Sequence, residues 1–209
     1  MPFPFLIVSA IVGYLLGSVN ASIIVGRLLY GKDVREMGSG NAGATNTLRS
    51  LGKKAAGLVL VGDVLKGVLA CLIGGWLVGE WPAGVPMGAY LGGFFAVVGH
   101  NWPVFFGFRG GKGVLTSAAV LMMMSPLPAL CCLGVFILAL VLWKTVSLGS
   151  ILAAATFPVF VLLFGEPVQL IVVGCLLAIL IVLRHSGNIR RLLAGTEPKI
   201  TDKKKPVTS

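Results

Sequence analysis

The sequence predicts an all-α fold, a polytopic bundle of transmembrane helices, on three observations. Of its 209 residues 56% are hydrophobic and only 11% are charged, about half the charged share of a soluble globular domain. The stretches 1–26, 81–108, 113–143 and 145–165 contain no Asp, Glu, Lys or Arg, and each reaches the roughly 20 helical residues needed to cross hydrocarbon. When these runs are threaded through a membrane, all 17 Lys and Arg residues fall at or near one side, as the positive-inside tendency favours. Lipid offers an open backbone no hydrogen-bond partners, so the runs are helices.

Apolar runs and their punctuation place helices at roughly 4–27, 55–79, 84–100, 113–125, 128–143, 149–165 and 168–185. The first has no basic residue ahead of its apolar stretch and runs past a signal-peptide core, which predicts a retained helix. The run 113–143 reads either as one long helix or as two short ones hinged at Ser125-Pro126-Leu127-Pro128, because a residue before proline is pushed out of helical geometry. Charge decides for two. A single helix would put Arg184, Arg190, Arg191 and Lys203-Lys204-Lys205 on the opposite side from the other basic residues. The expectation is seven transmembrane helices with the N-terminus outside and the C-terminus cytoplasmic, and outer connections that carry Glu80 and Glu166 but no basic residue. One transmembrane domain is expected over 1–197, followed by a basic cytoplasmic tail, 198–209.

The net charge of +10 reports orientation in such a chain and does not imply nucleic acid. Cys71, Cys131, Cys132 and Cys175 lie in apolar stretches without paired spacing, and His100 and His185 have no adjacent carboxylate, so neither metal nor disulfide is expected. No cofactor is expected either.

Chemistry concentrates in three inner segments. Gly38-Ser39-Gly40-Asn41-Ala42-Gly43-Ala44-Thr45-Asn46-Thr47-Leu48-Arg49 combines glycines that let backbone amides turn toward a ligand with small polar side chains, and Arg49 can grip an oxyanion in bidentate fashion. The bland reading, a connector with Ser39 or Thr45 capping a helix, needs one such residue rather than this dense set. Gly99 to Gly113, with Arg109-Gly110-Gly111-Lys112-Gly113 leading into the fourth helix, suits phosphate: amides and helix dipole face an anion while Lys112 adds a point charge. It shares the logic of a nucleotide P-loop without its spacing. The third segment, Arg184 to Glu197, carries His185 and Asn188 on one face if helical geometry continues, with Arg190 and Arg191 read as headgroup or topology residues. Asp63 and Lys66, three apart inside the second helix, are costly there; they are either functional or an ion pair tying that helix to nearby loops.

Together the three segments resemble, in order and approximate spacing, the motifs of the acyl-phosphate:glycerol-3-phosphate acyltransferase family, known as PlsY, and the helix layout extends the similarity over nearly the whole chain up to Glu197. Arg109 stands where lysine is common in that family. The resemblance implies a bacterial inner-membrane enzyme in which the 1-hydroxyl of glycerol 3-phosphate attacks a fatty acyl phosphate, giving lysophosphatidic acid and inorganic phosphate, with a soluble enzyme as a possible supplier of the donor. It implies that Ser39, Arg49, Lys112, Ser150, His185 and Asn188 line the glycerol 3-phosphate and phosphate sites, that Asn41, Thr45 and Asn46 shape the first loop, and that Gly110, Gly111 and Gly113 hold phosphate through backbone amides. Ser150 comes from the resemblance alone. The proton acceptor is left open between His185 and a substrate phosphate oxygen. The other large class of glycerol-phosphate acyltransferases uses a histidine followed four residues later by an aspartate; here Val104 stands four and Phe105 five after His100, and Ile189 stands four after His185.

Two other classes compete. A transporter for a phosphorylated solute would place its site near the midplane between repeats, and neither is visible in the sequence. A docking scaffold would use the basic inner surface, but leaves the dense Gly, Ser, Asn and Arg segment unexplained.

Overall fold

The computed structural model describes residues 3–79 and 84–202; Glu80 and Lys203-Lys204-Lys205, which enter the topology expectation, lie outside these. Every regular element among the described residues is helical. Helices α1 (Phe3–Ser18) and α2 (Ala21–Tyr30) form a 28-residue apolar segment, followed by α3 (Ala44–Leu51), α4 (Lys53–Val78), α5 (Met87–Asn101), α6 (Val114–Met124), α7 (Pro126–Trp143), α8 (Val146–Leu163), α9 (Val168–Arg184) and α10 (Ser186–Leu193). The α1–α2 segment, α4, α7 and α8 are long and apolar enough to cross a membrane, and α9 with α10 makes a fifth if that pair, bent by 60°, is one span. At about 1.5 Å per residue, α5 (15 residues) and α6 (11 residues) fall short of a full hydrocarbon thickness. By length, four or five of the expected seven spans are present among the described residues.

Local chemistry explains most boundaries. Asn20 interrupts the first run and caps α2, its side-chain oxygen accepting the Ile23 N–H at 3.2 Å. Ser125 ends α6 in extended geometry (φ −155°), and Pro126 opens α7 where its missing N–H is harmless. The two-helix reading of 113–143 is what folds. Two short helices that the apolar pattern does not announce, α3 and α10, lie within the first and third polar segments.

The bundle is packed as lipid requires. Without a hydrophobic drive between helices, close approach through small residues takes over. A Cβ on Gly13 would meet the Gly92 carbonyl and one on Gly17 the Ala96 carbonyl, both under 3.0 Å, so α1 and α5 touch backbone to backbone. The same holds for Gly74 of α4 and Gly88 of α5. On α7 the buried residues are Pro128, Ala129, Cys132 and Ala139, whereas Ile137, Leu138, Val141 and Leu142 are exposed. Small inside and large apolar outside is the surface of a protein dissolved in lipid.

Helix α7 ends on Lys144, held at φ 58° without being glycine. The left-handed region costs a β-carbon residue about 1 kcal/mol. Lys144→Gly is therefore expected to raise the thermal unfolding midpoint in detergent by roughly 2–4 °C, since the Lys144 carbonyl that accepts the Ile200 N–H is kept. A lower midpoint would mean that the lysine side chain holds the turn.

Candidate active site

The three polar segments converge at one end of the bundle. In the first, a small core of Ile23, Val34 and Ala42, backed by Leu51 and Phe106, sits beneath the loop. Asn46 on α3 is the loop's organiser: its Nδ2 donates to the carbonyls of Val34 (2.8 Å) and Met37 (3.0 Å), and its Oδ1 accepts the Ser39 N–H at 2.9 Å. One buried amide side chain thus serves three backbone groups and fixes the loop that carries Ser39, Gly40 and Asn41.

Arg35 couples this loop to the second. Its guanidinium pairs with Asp33 at 2.8 Å and donates to the carbonyls of Phe106 (2.8 Å) and Arg109 (3.3 Å). The Arg35 hydrogen bond holds the Asp33 carboxyl well below the usual carboxylate range. Arg184, at the end of α9, donates to the Gly111 carbonyl through Nε (3.1 Å) and Nη2 (2.8 Å), with its guanidinium 5.4 Å from the Trp102 ring centroid.

The glycine-rich segment lies hard on the end of α5. The Gly111 N–H donates to the His100 carbonyl at 3.1 Å, so that amide is taken from the expected phosphate-holding set. A Cβ on Gly110 would meet the His100 carbonyl, and one on Gly111 would meet His100 Nε2 and the Ala42 carbonyl, all under 3.0 Å. Close approach is what these two glycines provide. Gly113 adopts φ 75° and leads into α6.

Lys112 projects from this loop. Its ammonium donates to Asn188 Oδ1 on α10; Asn188 Nδ2 donates to Glu197 at 2.6 Å, and Glu197 also accepts from Ser147 (2.7 Å) and Arg191 (2.7 Å). Burial works to raise the Glu197 pKa, but the bonds from Ser147, Asn188 and Arg191 outweigh it and keep the carboxylate ionised. Lys112 is pushed down to about 8, first by burial and then by Arg191, Arg184 and Arg49, against the pull of Glu197.

These residues line an open cavity of about 380 Å³. Its walls are Arg35, Ser39, Gly40 and Asn41 from the first segment, Phe108, Arg109, Gly110 and Lys112 from the second, and Arg184, Gly187, Asn188 and Arg191 from the third. Five cations around one polar cavity suit a small, doubly charged anion.

Of the expected site residues, Ser39, Asn41, Gly110, Lys112 and Asn188 line this cavity. Four others are not among its walls. Arg49 donates to the Pro198 carbonyl at 3.2 Å; Ser150, buried, donates to the Val146 carbonyl at 2.9 Å; the His185 Nδ1–H donates to the Ile181 carbonyl at 2.7 Å; Asn46 works within the loop as described. Thr45 lies in the first turn of α3, and Gly111 and Gly113 are buried beneath the loop. The chain turns at His185, so that residue and Asn188 do not share one continuous helix. Arg191, read from sequence as a topology residue, is a wall residue fixed by Glu197 at 2.7 Å. Its position three after Asn188 on one helix face was the signal available for it. Arg184 opens the third segment, whereas Arg35 was signalled by nothing local.

A family model described as glycerol-3-phosphate acyltransferase matches residues 7–195. The chain belongs to that family. The glycerol-3-phosphate acyltransferase of Thermoanaerobacter sp. (strain X514) is 46% identical, the match covering 95% of this chain and 98% of that one, and that of Clostridioides difficile (strain 630) is 44% identical over 95% and 97%. Among solved structures the chain is similar to PlsY, an integral membrane glycerol 3-phosphate acyltransferase. The glycerol 3-phosphate form superposes with a TM-score of 0.84 at 39% identity, covering 93% of this chain and 95% of that one. The lysophosphatidic acid form gives 0.80 at 38% identity, over 93% and 94%. The protein is thus a membrane acyltransferase of the glycerol-3-phosphate acyltransferase family, with a cationic cavity at one end of its bundle.

Proposed function

We propose that this protein transfers a fatty acyl group from acyl phosphate to the 1-hydroxyl of glycerol 3-phosphate, releasing inorganic phosphate and forming 1-acyl-glycerol 3-phosphate, the first step of phospholipid synthesis. The observation that carries this is the meeting of Ser39, Lys112 and Asn188 with Arg35, Arg109, Arg184 and Arg191 around one cavity in a chain of this family. The substrate hydroxyl forms the new C–O bond at the acyl carbon and the C–O bond to phosphate breaks. Phosphate leaves a mixed anhydride readily, so orientation and charge stabilisation suffice without a covalent enzyme intermediate. A substrate phosphate oxygen takes the hydroxyl proton. His185 suits that role less, because its ring is buried and is not part of the cavity wall. In this reading Lys112 and Asn188 hold phosphate; Ser39 and Asn41 orient the glycerol; Gly110 and Gly113 set the phosphate loop; Arg49, Thr45, Asn46 and Ser150 support the walls.

The reading carries the topology with it: seven spans over residues 1–197, N-terminus outside, a basic tail at 198–209, and the cavity on the cytoplasmic face of a bacterial inner membrane. A soluble enzyme that makes acyl phosphate then supplies the donor. Supporting this, Arg49, Lys112, Lys144 and Arg184 gather with the residues they contact at one end, while Ser125 donates to Glu166 at the break between α6 and α7.

The test is phosphate release from palmitoyl phosphate by purified protein, with and without glycerol 3-phosphate. Release that requires both, with lysophosphatidic acid as product, supports the proposal; release indifferent to glycerol 3-phosphate by folded protein refutes it. The Lys112 ammonium also sets a pH dependence. With a pKa of about 8 the cation is present below that pH and lost above it, while a phosphate monoester, with its second pKa near 6, stays a dianion throughout. The KM for glycerol 3-phosphate is expected to rise about tenfold between pH 7 and 9, and Lys112→Arg should flatten the rise. An equally steep rise in that variant would assign the titration to another group.

A further inference from the structure

Beneath the glycine-rich loop lies a buried ionic group that the reaction itself does not use. Asp63 and Lys66 on α4 and His100 on α5 are 2%, 5% and 3% exposed. Three acceptors surround the Lys66 ammonium: Asp63 Oδ1 at 2.8 Å, His100 Nδ1 at 2.7 Å and the Val19 carbonyl at 3.3 Å. The ammonium is hydrogen-bonded to the imidazole and the carbonyl and ion-paired with the carboxylate. With Nδ1 accepting from Lys66, the ring proton of neutral His100 sits on Nε2, the nitrogen that lies against Gly111. The backbone carbonyl of the same histidine accepts the Gly111 N–H at 3.1 Å. Both faces of His100 therefore meet one glycine, whose successor is Lys112.

Burying an ion pair is an expensive way to hold two helices together, and apolar residues of similar volume commonly do it as well. What the charges add here is direction. The ammonium fixes the imidazole's rotation and tautomer, and the imidazole sets how far the loop settles toward the bundle, since a Cβ at Gly111 would have no room between His100 and Ala42. We propose that Asp63, Lys66 and His100 are positioning residues: a buried relay from the middle of α4 to the phosphate loop that holds Lys112 at the height required to bind the glycerol 3-phosphate anion. This rests on the acyltransferase reading and adds three residues to it, none of which lines the cavity.

The experiment compares wild-type protein with Asp63→Asn, Lys66→Met and the double variant in the palmitoyl phosphate assay, with size-exclusion elution and thermal unfolding to establish folding. Wild-type turnover comes first: if it does not depend on glycerol 3-phosphate, the acyltransferase reading fails rather than this proposal. The expected result is a KM for glycerol 3-phosphate raised at least tenfold in the folded variants, the uncharged double variant included, with kcat lowered alongside it and the KM for palmitoyl phosphate within threefold of wild type. A wild-type KM in the folded double variant overturns the proposal, because the two charges would then serve only to neutralise each other. Collapse of all three variants also overturns it, assigning the group to folding.

Discussion

Lys112→Ala is expected to lower kcat/KM by about 10²- to 10³-fold, or about 3–4 kcal/mol of transition-state stabilisation, the range for deleting one charged donor from a preorganised site. The side chain is the one lysine on the cavity wall among the described residues, and three of the four arginines around it are spent differently. Arg35 is committed to Asp33 and the Phe106 carbonyl, Arg184 to the Gly111 carbonyl, and Arg191 to Glu197. Lys112 gives its ammonium to a neutral amide oxygen, that of Asn188, a partner an anion can outbid. Loss should appear in both KM for glycerol 3-phosphate and kcat, because the same charge serves ground state and transition state. Retention of more than a tenth of wild-type kcat/KM by folded Lys112→Ala would show that the arginines alone hold the anion.

Gly111→Ala is expected to cost about 10²-fold in kcat/KM through geometry alone. The added methyl would meet His100 Nε2 and the Ala42 carbonyl under 3.0 Å, neither of which is a flexible side-chain end. The loop must lift, and a displacement near 1 Å at a catalytic constellation is worth about two orders of magnitude. Gly134→Ala is the control: it lies on α7 with nothing within 4 Å of its would-be Cβ and gains helix propensity, so turnover should be unchanged. Near-normal turnover in Gly111→Ala, measured beside that control, would show that the loop tolerates displacement and that Lys112 is not held at a critical height.

How much of this was legible in the sequence differs by element. Ser125-Pro126 announced the break between α6 and α7 because proline's constraint on its neighbour is local. Long apolar runs announced α4, α7 and α8, since spanning lipid is a demand on consecutive residues. Helices α3 and α10 were hidden, being short, polar and inside segments whose glycines suggested loops. A place on the cavity wall was legible for Ser39, Asn41, Gly110, Lys112 and Asn188, which carry polar groups at the bundle's end. The backbone partners of Arg49, Ser150 and His185 were not legible, since the fold alone sets what each side chain reaches.

By itself the sequence determined that the chain lives in a membrane, where most helices begin and end, and which three segments carry chemistry, because hydropathy, capping and proline effects act between near neighbours. Only the tertiary structure decided which amides and cations remain open to a ligand. The partner of Arg49 lies 149 residues away, that of Arg184 lies 73 away and that of Lys112 lies 76 away. A donor is available or spent according to what the fold brings within 3 Å of it, and no pattern among its sequence neighbours encodes that distance.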